Sequence, residues 1–159
     1  MPDRILDLLH ENARLTHDEI ASRLGLPVDE VRATIERAEA DGTIRGYRVI
    51  TADAAAPRSV HAVVEVGLQP ERDRGFDRIA ERIARFPEVV SCVLMSGGYD
   101  LSVQVRGASL HDVAAFVSER LATIDGVRST RTHFVLKRYK EDGVLLFGEE
   151  ELQRLPVTP

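Results

Sequence analysis

The sequence has no tryptophan, one cysteine and two lysines, Lys137 and Lys140. The lone Cys92 excludes an intramolecular disulfide and a cysteine-rich zinc site. Arginine therefore supplies nearly all of the positive charge, and it is outnumbered: Lys plus Arg total 21 against 26 Asp plus Glu, a formal charge of −5. That balance excludes a polybasic chain that coats nucleic acid through bulk charge. No apolar run approaches the roughly 18–20 residues of a membrane span. The opening Met1-Pro2-Asp3-Arg4 puts acid where a signal peptide carries base, and no apolar h-region follows. The expected setting is cytoplasmic, without a membrane partner. What is present is ordinary for a globular chain: 159 residues, 43% hydrophobic and 30% charged. Enough apolar side chain is available to form a core, which excludes intrinsic disorder. The length fits one ordinary domain or two small ones.

The apolar period changes along the chain. Over residues 1–50 it is helical. Ile5, Leu8 and Leu9 mark a helix from about Asp3 to Asn12. Thr16 with Glu19 fits a capping box, in which a Thr N-cap and a Glu three residues on satisfy each other's backbone N–H. Ile20, Ala21 and Leu24 form the inner stripe of that second helix, and Gly25 stands where a helix stop requires positive φ. Pro27 suits the first turn of a third helix, whose Asp29 and Glu30 favour the positive end of its dipole. Val28, Val31, Ile35 and Ala38 give the buried stripe and Gly42 ends it. Thr43–Ile50 alternates around Gly46, as a small hairpin does. Helix, helix, tight Gly turn, helix and β-wing is the order of a winged helix-turn-helix. A three-helix bundle with no nucleic-acid role has the same helices.

Residues 51–59, small and with one proline, read as a linker. From 60 to 142 period-2 and period-3.6 segments alternate. Val64, Val66 and Leu68 share one face of a strand. Phe76, Ile79, Ala80, Ile83 and Phe86 repeat at helical spacing. Val89–Ser96 is a β-rich run, Gly97–Asp100 a turn, and Leu101, Val103 and Val105 alternate again. Ser109 caps a helix with Leu110, Val113, Ala114, Val117 and Leu121 inward, and Val127–Leu136 is a last strand. The order β-α-β-β-α-β is ferredoxin-like, so the fold class is α+β. Helices on one face leave the other face of the sheet open, where apolar residues would favour pairing with a second copy. Residues 143–159 form a tail. Its apolar Val144–Phe147 is expected to pack on the domain or on a neighbour, and acidic Glu149–Glu151 follows.

These residues together resemble the Lrp/AsnC family of transcription regulators over nearly all of 3–142. The resemblance rests on Arg4–Thr16, Ile20–Leu26 and Gly42–Tyr47 in the first part. In the second it rests on Phe86–Val89, Ser96–Leu101 and Asp125–Lys137. Leu94–Leu101 and Thr132–Gly143 are similar to a subgroup with an extended tail. The resemblance implies that the winged part binds pseudo-palindromic, double-stranded promoter DNA. It further implies that the ferredoxin-like part is a RAM, or ACT-like, domain that senses a small molecule, usually an amino acid. That domain would form dimers, which often assemble into tetramers or octamers.

Two candidate sites follow. Arg32, Ala33 and Arg37 on the third helix and Arg45 and Arg48 on the wing are the candidate DNA-binding residues. The four arginines are expected to converge on one face. Residues 1–50 hold seven arginines and ten acids, net −3, and DNA affinity rests largely on phosphate contacts. A salt-laced solvated face, or an effector-sensing assembly module with little DNA binding, is the competing reading. Thr34 stands where the family often has Arg, and Pro27 where it usually has a Ser cap. Both lower the affinity expected per subunit, and linked sites in an oligomer would offset this.

The second site is Ser96-Gly97-Gly98-Tyr99-Asp100. Two glycines let backbone N–H groups approach a carboxylate, Asp100 accepts from an ammonium, and Tyr99 offers a wall and a hydroxyl. A plain hairpin turn uses the same residue types. Thr130 and Thr132 are minor candidates. The histidines, His10, His17, His61, His111 and His133, have no metal-ligand spacing. Although some tetrapyrrole decarboxylases resemble this two-part plan, no catalytic residue, metal or cofactor is expected.

Overall fold

The computed structural model describes residues 2–51, 59–69 and 76–147. The expected linker lies outside the described residues except at its ends, as does the acidic end of the tail. The chain divides into two compact units, Met1–Ile50 and Thr51–Pro159, and each is described by itself.

The first unit holds α1 (Pro2–Glu11), α2 (His17–Leu24) and α3 (Val28–Ala40). The α2 N-terminus is a full capping box. Glu19 N–H donates to Thr16 Oγ1 (3.2 Å) and Thr16 N–H donates to Glu19 Oε2 (2.8 Å). Gly25 ends α2 at φ 66°, a left-handed conformation that costs glycine nothing. The sharp turn this allows sets α3 across α2. Ile5, Leu15, Ile20, Ala21, Val31 and Ile35 are buried between the three helices. Each of the larger side chains among them contributes about 1.5–3 kcal/mol by leaving water.

Two expectations are corrected in this unit. Pro27 is the N-cap of α3, extended at ψ 140°, rather than a residue of its first turn. Its carbonyl accepts from Glu30 and Val31 N–H instead. The alternation of Thr43–Ile50 forms no ladder, and residues 45–50 carry no strand. A lone two-stranded hairpin is marginal in water. Here the segment is tied to α3 by Ile44 N–H donating to Ala38 O (2.8 Å) and Tyr47 hydroxyl donating to Glu39 Oε1 (2.9 Å).

The second unit holds β1 (Val60–Leu68), α4 (Asp77–Ala84), β2 (Val89–Leu94), β3 (Leu101–Gly107), α5 (Leu110–Ala115) continuing as a π-helical segment Phe116–Leu121, and β4 (Val127–Phe134). The four strands form one antiparallel sheet in the order β2-β3-β1-β4, the ferredoxin-like arrangement. Ala62, Val64, Val66, Leu101, Val103 and Val105 face the helices and are buried with Ile79, Ile83, Val113, Phe116 and Leu121. Ser109 caps α5 by accepting from Asp112 N–H (3.1 Å).

The inward stripe of α5 differs from the one expected. Leu110 is 58% exposed and Ala114 is exposed, while Phe116 is buried. The π-turn, with Ala122 N–H donating to Val117 O, slips the helix by one residue. Phe116, Val117 and Leu121 share the core side with Val113. The sheet's open face is mostly polar, with Val93 of β2 exposed on it. Alternation with the buried positions puts Val63, Glu65, Ser102, Gln104, Arg131 and His133 there. Arg131 and His133 reach Glu65 at 3.5 and 3.2 Å.

In the tail, β5 (Lys140–Glu141) and β6 (Val144–Leu145) pair as a short hairpin. It is closed by the Tyr139 and Phe147 rings, 6.4 Å apart and edge-on. No helix among the described residues is long and apolar enough to cross a membrane.

Candidate functional site

Arg32, Ala33 and Arg37 are all exposed on α3, opposite the buried Val31 and Ile35. Ala33 sits near the middle of the solvent face. At about 100° per residue, Arg32 and Arg37 leave the helix about 140° apart. They flank the exposed face rather than share one line. Asp29 and Glu30 occupy the first turn. Thr34, half-buried, turns its hydroxyl back to Glu30 O (2.8 Å).

Arg45 and Arg48 are exposed beyond the helix. The Arg45 guanidinium lies over Gly42, where a Cβ would stand 3.5 Å from its Cζ. The structure thus sets Arg32 and Arg37 on the two flanks of α3 and folds Arg45 back over the helix end. Just past that end, Asp41 is held below the ordinary aspartate range. Thr43 is the first cause, by its hydrogen bonds, and nearby Arg37 adds to it.

In the second unit Ser96, Gly97 and Gly98 are exposed and Tyr99 and Asp100 half-buried. Gly97 has φ 147° and nothing within reach of a would-be Cβ, so the loop backbone is approachable. Asp100 has a task the sequence did not reveal. Its N–H donates to Val66 O (3.0 Å), its carbonyl accepts from Met95 N–H (2.8 Å), and its carboxylate Oδ2 accepts from Leu68 N–H (2.7 Å). The first and third of these bonds reach the end of β1, where the β1–β4 register shifts between Gly67 and Leu68, and the second closes the loop between β2 and β3. Asp100 hangs the loop on the end of β1. Any ammonium at this carboxylate would rely on its other oxygen.

Leu94 (56% exposed) and Met95 (40%) form an apolar shoulder before the loop. Their place in an apolar run hid this exposure from the sequence. Thr130 and Thr132 pair with Val66 and Val64, so they face the helix layer. Among the described residues no group of three or more His, Cys, Asp or Glu is placed to hold a metal ion.

Comparison with known proteins bears on both units. The family model of the Lrp/AsnC ligand binding domain matches residues 61–145, and that of a winged helix-turn-helix DNA-binding domain matches residues 4–45. The chain is 45% identical over 157 residues to YugG, an HTH-type transcriptional regulator of Bacillus subtilis, covering 98% of this chain and 95% of that one. It is 29% identical over 138 residues to a leucine-responsive regulatory protein of Rhizobium meliloti, covering 87% and 88%. Among solved structures it is similar to a Neisseria meningitidis transcriptional regulator in complex with L-Met. There the TM-score is 0.68 and the identity 26%, over 88% of this chain and 90% of that one. It is also similar to a leucine response regulatory protein of Mycobacterium tuberculosis, with TM-score 0.73 and identity 27%, over 89% and 94%.

Proposed function

Because the chain belongs to the Lrp/AsnC family of transcriptional regulators, with a helix-turn-helix DNA-binding domain ahead of a ligand-binding domain, we propose that it regulates promoters in response to an amino acid. The ligand is held at the Ser96–Asp100 loop. The observation that carries this reading is the Asp100 anchor. A ligand touching the loop pulls directly on the end of β1, the strand bonded to both β3 and β4. It can thereby favour one arrangement of the sheet over another. Only such a difference in affinity between states makes a ligand regulatory, and about 1–3 kcal/mol of coupling suffices. The L-Met complex of the meningococcal relative supports an amino acid as the class of effector.

On the DNA side, α3 enters the major groove with Ala33 toward the bases and Arg32, Arg37, Arg45 and Arg48 toward the phosphates. The protein acts as a dimer, or as a tetramer or octamer of such dimers, in the cytoplasm. Pairing adds a second half-site, which offsets the weak attraction of a unit with net charge −3. That charge favours one other reading, a sensing and assembly module with little affinity for DNA. Electrophoretic shifts of the chain's own upstream region, at low salt and with each amino acid added, decide between the two. We expect a retarded complex whose midpoint moves with one amino acid. Arg32→Ala and Arg45→Ala should weaken it and flatten its salt dependence. No complex at any salt, or no change in either variant, overturns the DNA assignment.

A further inference from the structure

A cavity of about 230 Å³ opens in the first unit between α1 and the C-terminal half of α3. It is smaller than the roughly 300–1,000 Å³ typical of sites for drug-sized ligands. Its floor is apolar: Ile5 and Ile35, 2% and 7% exposed, with Ala38 beside them. Its rim carries one cation and one anion, Arg37 and Asp41, four residues apart at the end of α3, and Thr43. Asp41 is fixed in place, because its Oδ1 accepts from Thr43 N–H at 2.9 Å.

An apolar floor beneath a fixed carboxylate and a neighbouring guanidinium is complementary to one kind of small molecule. We propose that this cavity is a second ligand site, within the DNA-binding unit, for a small zwitterion bearing an aliphatic side chain. The carboxylate meets the Arg37 guanidinium, the ammonium meets the Asp41 carboxylate, and the side chain lies over Ile5, Ile35 and Ala38. The site is separate from the Ser96–Asp100 loop and does not depend on the reading of that loop. Where Arg37 also serves DNA phosphates, as proposed above, occupancy draws it away from the duplex. Ligand and DNA then weaken each other's binding by the same factor.

The full chain, labelled at isoleucine δ1 methyls, tests this by titration with L-leucine in methyl NMR. We expect the Ile5 and Ile35 methyls to shift and saturate at millimolar leucine. 4-Methylpentanoate, which lacks the ammonium, and 3-methylbutylamine, which lacks the carboxylate, should each bind at least several-fold more weakly. Ala38→Leu, which fills the floor, and Arg37→Gln, at an exposed position, should each reduce the Ile5 shift at a given leucine concentration several-fold. Ile79 and Ile83 report on the other unit, so failure of the loop reading is read separately from failure of this one. The proposal is overturned if Ile5 and Ile35 stay still up to the solubility limit of leucine, if both variants respond like the parent, or if either analogue binds as well as leucine.

Discussion

Asp100 has two roles that a pair of substitutions separates. Its carboxylate receives Leu68 N–H at 2.7 Å in a part-buried setting, and Leu68 itself is 3% exposed. Asp100→Ala removes a charge-assisted hydrogen bond, worth about 1.5–3 kcal/mol, and leaves the Leu68 N–H without its acceptor. For a domain of this size each kcal/mol lowers the melting temperature by about 4–8 °C. Asp100→Ala should therefore melt on the order of 10 °C lower than the parent. Asp100→Asn keeps an oxygen in the same place and should lose much less, about 1 kcal/mol.

For the ligand the ranking differs. Asn has no charge to offer an ammonium, so both variants should lose amino-acid binding in calorimetric titration, whereas only Ala loses stability. Differential scanning calorimetry on the three proteins reads the first effect. If Asp100→Ala melts with the parent, or Asp100→Asn falls as far as Asp100→Ala, Asp100 does not anchor β1. If Asp100→Asn binds an amino acid as the parent does, the carboxylate has no part in the sensing site.

Gly126, at φ 89°, has no room for a side chain, because a Cβ would overlap Ile79 Cδ1 in the core. Gly126→Ala combines left-handed strain of about 1–2 kcal/mol with overpacking of about 1–3 kcal/mol. A urea midpoint showing less than about 1 kcal/mol lost would contradict this. The Thr16 backbone and hydroxyl hydrogen bonds hold the Glu19 carboxyl below the ordinary glutamate range. A group with its folded pKa lowered stabilises above its unfolded pKa and loses that contribution as the pH falls through the folded one. The margin in melting temperature of the parent over Glu19→Gln should thus be present at neutral pH and shrink as the pH falls through the carboxylate range; an unchanged margin refutes the box. Burial pushes the Cys92 thiol up, with Sγ 3.9 Å from Ala80 O. Its alkylation rate should rise with pH about a midpoint above the free-thiol value of about 8.5. A midpoint at or below that value would show a thiol open to water.

The sequence was most legible where structure is decided within four residues. The Thr16–Glu19 box, the Gly25 stop and the Ser109 cap need only the local chain, and all three stand where the residues place them. The alternation of β1 and β3 was equally plain, because both strands bury one whole face. The signal failed where a segment bonds to another element, or where a helix departs from its regular turn. Thr43–Ile50 alternates like a strand, yet its bonds go to α3. The period of 3.6 gave Leu110 and Ala114 an inward place, whereas both are exposed and Phe116 is buried. That Arg32 and Arg37 share a helix but not a line on it was itself legible, since five residues turn the helix well past one revolution.

By itself, then, the order of residues determined two units, the helices of one and the antiparallel sheet of the other. Apolar period and capping chemistry are properties of short stretches, and burial follows from them. Only the tertiary structure decided the anchoring of Asp100 to a strand 32 residues away and the meeting of Ile5 with Arg37 and Asp41 around one cavity. Those features depend on which distant segments the folded chain brings within a few ångströms, and no local pattern encodes that.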